Sequence, residues 1–405
     1  MNARILIVTN GPLCRNPRPF KEAATLARAG YEVTVLGVRN HRPSLAYDRD
    51  LLRDAPFRCE MIDMLTVGRP AVLARRLQLR LARSAARFGA PTIGSLGPAR
   101  ALLRHARRRS AHLTIVHNEV PFWVGTSLLA EGRRVAADME DWYSEDLLPD
   151  DRKVRPLAAM RRIEDALLHR AAYTTTTSNA LAAALAARYG GRPPAVITNA
   201  FPLDPAPRRG PPGQPPAFFW FSQTIGPGRG LEAFFEAWAQ VERASRVVVL
   251  GAARAAFVQT LLARIPKARQ PAVTFLPPVP PAQLPVTLAA HDIGLALERS
   301  DIPSRDLTIT NKILQYLNAG LAVAATASAG QREVLGHASD AGVLLDLSDI
   351  PATAAALDAL LADREHLARR QQAARQLAEA DYCWEREAPK LLNLVAAALD
   401  HPSRL

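Results

Sequence analysis

Short β-branched and apolar runs alternate with segments of helical period along most of the chain. In the first half RILIVT (4–9), YEVTVLGV (31–38), LTIVHN (113–118), RRVAADM (133–139), YTTTTS (173–178) and AVITNA (195–200) predict strands. PRPFKEAATLARAG (17–30), MRRIEDALLHRAA (160–172) and NALAAALAARYG (179–190) predict helices between them. Such alternation belongs to a parallel sheet covered on both faces.

The alternation stops at residues 202–216, PLDPAPRRGPPGQPP, which hold seven prolines and two glycines. Proline resists both helix and central strand, so this segment reads as a linker. Beyond it FFWFSQ (218–223), RVVVLG (246–251), AVTFLPPV (272–279), IGLALE (293–298), LAVAATA (321–327) and AGVLLD (341–346) predict strands. Helices are expected over RGLEAFFEAWAQVE (229–242), from the Thr310 cap to Gly320, and along a tail from Pro351 to Asp400 broken near Tyr382–Trp384. The expected organisation is an α/β domain over 1–201, the linker, a second α/β domain over 217–380, and a C-terminal helix (381–405) packing back on the first domain. Both domains are expected to be Rossmann-like, doubly wound parallel sheets facing across a cleft, with ligands beyond the carboxyl ends of the strands.

Charge changes this picture in one place. The net charge is +13, yet between Met64 and Asn118 there are 11 arginines and no acidic residue, while the rest of the chain has 40 basic and 38 acidic residues. RPAVLARRLQLRLARSAARF (69–88) interleaves leucines with arginines at helical spacing, and a second basic segment follows at 98–109. A basic amphipathic helix suits an anionic membrane surface. A solvated arginine-rich face is the plainer alternative. No aromatic interleaving supports nucleic acid, and none is expected as a partner. The opening strand is too short for a signal peptide, no run reaches the roughly 20 apolar residues of a membrane span, and Cys14, Cys59 and Cys383 show no metal or disulfide spacing. A cytoplasmic protein is expected, peripheral on the inner face of the plasma membrane.

Three stretches carry candidate chemistry. The first strand ends in TNGPLCRNPRPF, where Gly11 allows a tight turn and close approach of a ligand. Arg18 in the same stretch reads as a solvated first-turn arginine rather than a site residue. FWFSQTIGPGRGLEAF (219–234) ends a strand at Ser222 and Gln223 and leads through Gly226 and Gly228 to Arg229 at a helix start, a suitable phosphate cradle. In LTITNKILQYLNAGLAVAATASAG (307–330), Thr310 is a helix cap that leaves the amides of Asn311 and Lys312 open to an anion. Lys312 opposes the helix dipole unless an anion meets it. Gln315, one turn on, suits a ribose or sugar hydroxyl, with a surface position on an amphipathic helix as the alternative. In the first half, ADMEDWYSED (137–146) gathers Asp138, Glu140 and Asp141 with Trp142 at a strand end, and His117 ends the strand before it. Acids there can position hydroxyls or act as a base, and a ring can stack on a sugar face. They read equally as capping carboxylates of a loop. No metal-ligand spacing occurs, and no metal is expected.

In this order the stretches resemble a retaining GT-B glycosyltransferase of the family 4 type. The likeness runs from ILIVTNGPLCRNPRPFKEAATLARAGYEVTVLG, through SQTIGPGRGLEAFFEAW, to TNKILQYLNAGLAVAATASAGQREVL, with a gap over the basic region. The resemblance implies a nucleoside-diphosphate sugar as donor, a glycan or lipid-linked acceptor and no cofactor. It places Arg229 on the donor diphosphate, Gln223 where the family has an arginine, and Gln315 where it has the ribose-binding second glutamate of an E-x7-E motif. Leu307, beside Asp306, falls at the first glutamate. Glu333 matches the acid after the family's glycine pair, here Ala329–Gly330, and Glu140 lies near the histidine of related segments. Catalytic roles are thus expected for Glu140, Arg229 and Lys312, donor contacts for Gly11, Ser222, Gln223, Gly228, Thr310, Asn311, Gln315 and Glu333, and an acceptor side at His117, Asp138 and Trp142. The missing glutamates leave two alternatives open: an epimerase or hydrolase of sugar nucleotides on the same fold, or a binding subunit with weakened catalysis.

Overall fold

The computed structural model describes residues 3–204, 215–336 and 338–400. Most of the proline-rich segment 202–216, and the last five residues of the expected C-terminal helix, lie outside the described residues. The chain divides into two units, Met1–Ile197 with Ala388–Leu405, and Thr198–Glu387.

The first unit holds seven strands: β1 (Arg4–Val8), β2 (Glu32–Arg39), β3 (Arg58–Asp63), β4 (Leu113–His117), β5 (Val135–Met139), β6 (Thr174–Thr176) and β7 (Ala195–Val196). They form one sheet in the order β3-β2-β1-β4-β5-β6-β7, every neighbouring pair parallel. β1, β4 and β5 are the central strands and nearly all their side chains are buried, which is why they read as unbroken apolar runs. β3 was not foreseen. It is an edge strand, only partly covered, and its sequence RCEMID alternates charge with apolar residues instead of forming a run. The expected strand at 195–200 shrinks to two residues at the opposite edge. Within this unit Arg134 Nη1 donates to Leu399 O at 3.2 Å and so holds the end of the last helix.

The second unit has six strands: β8 (Ala217–Ile225), β9 (Arg246–Ala253), β10 (Val273–Leu276), β11 (Ile293–Ala296), β12 (Ala322–Thr326) and β13 (Gly342–Leu345). Their order, β10-β9-β8-β11-β12-β13, is the doubly wound arrangement of a Rossmann sheet, again all parallel. The aromatic run of β8 explains the layers. Phe218 and Trp220 point to one face and pack with Leu231, Phe234, Phe235 and Trp238 of the helix Leu231–Gln240. Phe219 points to the other and packs with Ile313, Leu314, Tyr316 and Leu317 of the helix Asn311–Asn318. A strand buried on both sides has no polar alternation to show.

The helix Asn311–Asn318 starts at the expected Thr310 cap, and the extended Thr308–Thr310 separates it from a further short helix, Pro303–Leu307. The expected tail is divided. The tail forms Ile350–Leu360, Arg364–Ala380 and Trp384–Asp400. Its extra break comes at Asp363, whose carboxylate accepts from Glu365 N at 2.9 Å as an N-cap.

Gly294 of β11 fixes how the helix Asn311–Asn318 seats on the sheet. A Cβ built there would enter the Tyr316 ring, which covers this glycine and donates from its hydroxyl to Leu295 O at 3.2 Å. Gly294→Ala is expected to destabilise the second unit by about 1–3 kcal/mol through overpacking. Urea unfolding followed by tryptophan fluorescence reads this, and an unchanged midpoint would contradict it.

Candidate active site

In the first unit the strand ends enclose a buried ion network. Arg18, in the first turn of the helix Pro17–Arg28, is fully buried, which corrects its reading as a solvated residue. Its Nε and Nη2 donate to the two carboxylate oxygens of Asp138 at 2.6 and 2.7 Å, and its Nη1 donates to Ile197 O at 2.7 Å. Glu22, one helical turn on, lies 3.3 Å from Arg18 Nε. His117, at the end of β4, places its ring nitrogens 3.1 Å from Glu22 Oε2 and 3.0 Å from Asp138 Oδ2. Thr175 donates to Asp138 at 2.7 Å. Two cations thus face two carboxylates. Burial opposes the charged imidazole, but Glu22 and Asp138 outweigh it and lift His117 to about 10. Burial likewise opposes the charged form of Asp138, but Arg18 outweighs it and holds the carboxyl well below the usual carboxylate range.

This arrangement corrects the acceptor-side expectation for His117 and Asp138. Both are shut into the core and spent on each other and on Arg18, so neither presents an atom to an acceptor. Glu22, His117 and Asp138 are close enough to hold a metal ion, but the Arg18 guanidinium already stands between the two carboxylates as their cation. Trp142 is also buried, its ring edge-on to Tyr189 with centroids 6.3 Å apart, so its face is not open for stacking on a sugar.

Glu140 sits just past β5 and is half-buried. Burial first and the Asp138 charge second raise its carboxyl above the ordinary value. Gly11 follows the end of β1 with φ 145°, a conformation suited to glycine, and open space where a Cβ would stand. Between them lies a residue the sequence did not flag. Asn118 has φ 72°, the only positive φ outside glycine among the described residues. Its Oδ1 accepts from Thr9 Oγ1 at 3.0 Å and Asn10 N at 3.3 Å, and its Nδ2 donates to the Tyr143 hydroxyl at 3.2 Å. The side chain thereby ties together the ends of β1, β4 and β5. The sequence signal was a polar residue directly after a buried strand.

In the second unit Ser222 and Gln223 lie in a bulge of β8, where its pairing with β9 shifts between Phe221 and Thr224. Gly251 of β9 permits this, since a Cβ there would stand 2.6 Å from Ser222 O. The chain then runs through Gly228 and Gly230, both with positive φ, to the helix Leu231–Gln240. A Cβ on Gly230 would stand 2.9 Å from Leu297 Cβ, so this loop lies against the end of β11. Arg229, between the two glycines, is half-buried and makes no hydrogen bond or ion pair among the described residues.

Lys312 is different. Its Nζ donates to Glu298 Oε1 at 2.6 Å and lies 5.8 Å from the centroid of Trp220. Glu298 stands just past β11 and is itself buried. The anion that reconciles Lys312 with its helix terminus is therefore a side chain of the same unit, a correction to a free lysine awaiting a diphosphate. Glu298 was visible as the last residue of IGLALE, but nothing in the sequence paired the two. Thr326, at the end of β12, accepts from Glu298 N at 2.8 Å and from Gln331 Nε2 at 2.8 Å, which fixes this corner. Thr310 caps its helix by accepting from Ile313 N at 3.5 Å, so the Asn311 and Lys312 amides keep no intrahelical acceptor. Gln315 is half-buried one turn along. Glu333 lies on the short helix Ala329–Leu335 and its carbonyl accepts from the Tyr382 hydroxyl at 3.3 Å.

With this geometry in hand, the likenesses to known proteins can be stated. Residues 215–363 match the family model described as Glycosyl transferases group 1. Among solved structures, Anabaena HepE in complex with UDP and glucose is 17% identical with a TM-score of 0.71, covering 98% of this chain and 100% of that one. Sucrose-phosphate synthase from Thermosynechococcus elongatus is 15% identical with a TM-score of 0.71, covering 98% of each chain. A putative UDP-N-acetylglucosamine 2-epimerase from Listeria monocytogenes is 13% identical with a TM-score of 0.61, covering 100% of this chain and 98% of that one. No curated protein matches the sequence. The chain has the GT-B fold, and residues 215–363 of its second unit are similar to the glycosyl transferases group 1 family.

The buried network sets a pH dependence. His117 is lifted from 6.5 to about 10, so its contribution to stability is complete below pH 6.5 and is lost as pH rises through about 10. The first unit is expected to lose stability between these limits, and His117→Gln to flatten that fall. Asp138→Asn, which leaves Arg18 and His117 without their shared carboxylate, is expected to cost about 3–5 kcal/mol at neutral pH. Denaturation midpoints measured from pH 6 to 10 check both; parallel pH profiles for wild type and His117→Gln would contradict the first.

Proposed function

We propose that the protein is a glycosyltransferase that moves a sugar from a nucleoside-diphosphate sugar to a glycan or lipid-linked acceptor, in the synthesis of cell-surface polysaccharide or glycoconjugate. The observation that carries this reading is Arg229: an arginine without a partner among the described residues, between two positive-φ glycines at a helix start, inside the matched glycosyltransferase segment. Beside it Lys312 is neutralised by Glu298, and Arg299 donates to Asp301 at 2.7 Å. Arg229 has no acidic partner among the described residues, and a diphosphate is an anion that suits it.

In this reading the open amides of Asn311 and Lys312 share the diphosphate with Arg229, and Gln315 hydrogen-bonds a ribose or sugar hydroxyl. Ser222, Gln223 and Gly228 line the donor from β8 and its loop, and Glu333 faces the sugar. Arg229 and the helix-start amides, rather than a metal, take the charge of the departing diphosphate, and retention, with attack from the face the diphosphate leaves, is what the family resemblance implies. Glu140, its carboxyl raised by burial and by Asp138, offers a proton acceptor to the incoming hydroxyl. The enzyme works in the cytoplasm, at the inner face of the plasma membrane, with the arginine cluster of residues 69–109 toward anionic lipid.

Arg229→Ala is expected to weaken donor binding by about 10–100-fold, the loss of one charge-assisted contact set. Calorimetric titration with uridine-, guanosine- and adenosine-diphosphate sugars measures this, with release of the nucleoside diphosphate as the activity readout. Absence of binding to every donor, or equal binding by Arg229→Ala, would remove the transferase reading. Interconversion of the donor sugar without nucleoside diphosphate release would favour an epimerase.

A further inference from the structure

The first unit contains a cavity of about 360 Å³ beyond the carboxyl ends of β2 and β3. Its wall includes Asn40, which follows β2, and Gly97, which packs on the Asn10 side chain beyond β1. The rest of its polar wall is basic: Arg42, Arg76, Arg80 and Arg83. No carboxylate lines it. Arg42 Nη2 donates to Leu65 O at 3.5 Å and Arg83 Nε to Ser95 O at 3.2 Å, so backbone carbonyls steer two of the guanidiniums without neutralising them. The nearest acid along the chain, Asp63, is turned into its own loop, accepting from Leu65 N at 2.8 Å and Thr66 N at 3.1 Å. Four arginines around one hollow repel one another unless an anion enters.

Three of them come from the helix Pro70–Arg87, and the other side of that helix is unusual. Leu73, Leu77 and Leu81, spaced four apart, are 69%, 56% and 62% exposed, and Phe88 just past its end is 88% exposed. At about 3.6 residues per turn, Arg76, Arg80, Arg83 and Arg87 fall in the band between the buried Val72 and this leucine stripe. Apolar side chains facing outward, with an arginine band along one flank and no acid on the helix, match the boundary of an anionic bilayer.

We propose that the cavity receives the phosphate-bearing headgroup of a membrane lipid while the leucine face of the same helix enters the surrounding bilayer. This deepens the acceptor half of the transferase reading and rests on it for the identification of that lipid as substrate. The surface itself is independent of which reaction follows. The headgroup phosphate accepts from the guanidiniums, the leucines hold the helix at acyl-chain depth, and the cavity's position at the strand ends is where an α/β unit presents ligands.

Flotation of the full chain with phosphatidylcholine vesicles, with and without phosphatidylglycerol, tests the proposal. Wild type is expected to float with the anionic vesicles and weakly with the neutral ones. Leu73→Ser/Leu77→Ser/Leu81→Ser is expected to lose about 100-fold in vesicle affinity, from the apolar area no longer buried. Arg76→Gln/Arg80→Gln/Arg83→Gln is expected to lose at least about tenfold. Arg162→Gln/Arg170→Gln/Arg192→Gln removes the same charge from exposed positions outside the 69–109 cluster and is expected to stay within about threefold of wild type. Equal losses for the two arginine variants, retained binding by the leucine variant, or no binding by wild type would each overturn the proposal. So would self-association of wild type that the leucine variant abolishes, because the stripe would then join two copies of the chain. Nucleoside diphosphate release, assayed on the same preparations without vesicles, separates this outcome from failure of the transferase reading.

Discussion

A guanidinium with no exposure to water has to be met by charge and hydrogen-bond acceptors on every side, and the first unit is arranged to meet that of Arg18. Asp138 brings the end of β5 to it, Glu22 the next turn of its own helix, and the Ile197 carbonyl the far side of the sheet. His117 then joins the same two carboxylates from β4. Because each member is buried, removing one leaves the others uncompensated, so the network constrains position more than it adds net stability. That rigidity sets the strand ends on which Gly11, Asn118 and Glu140 stand.

The second unit solves a like problem on a smaller scale. Lys312, like Arg18, is a cation in the first turn of a helix, where the dipole disfavours it. In both cases a carboxylate at the end of a neighbouring strand supplies the compensation, Asp138 for one and Glu298 for the other. Such pairs dock the helix start onto the sheet and fix where its open amides point. The Tyr316 ring lying on Gly294 does the same by packing, so this helix is located by an ion pair at its start and an aromatic contact midway.

The sequence made the central strands legible because they are buried on both faces, and the helices between them because their apolar residues recur three and four apart. It hid the edge strand β3, whose half-covered face needs no apolar run. It hid the short helix Pro303–Leu307, whose five residues are too few to show a helical period. The site was legible where local chain chemistry defines it, as in the glycine loop around Arg229 and the Thr310 cap. It was not legible where a partner is distant. Asp138 is 120 residues from Arg18, and Glu298 is 14 from Lys312 and belongs to another element, so each cation looked unaccompanied. The basic amphipathic helix was plain in the sequence, while the hollow its arginines border depends on the loops after β2 and β3 and on the segment 96–98.

Pairing of Lys312 with Glu298 also changes the meaning of Gln315. In the proposed transferase reading, a carboxylate at Gln315 or Leu307 would add negative charge where the diphosphate enters. As built, Lys312 cancels Glu298 and Asp301 cancels Arg299. Arg229 has no acidic partner among the described residues, and Gln315, a neutral amide, adds no negative charge. A neutral amide also donates and accepts, so it can meet a hydroxyl in either orientation. The substitutions that depart from the family pattern therefore need not signal a disabled site. In the proposed reading, binding of the diphosphate then depends on one arginine and a helix start rather than on several cations balanced against two glutamates.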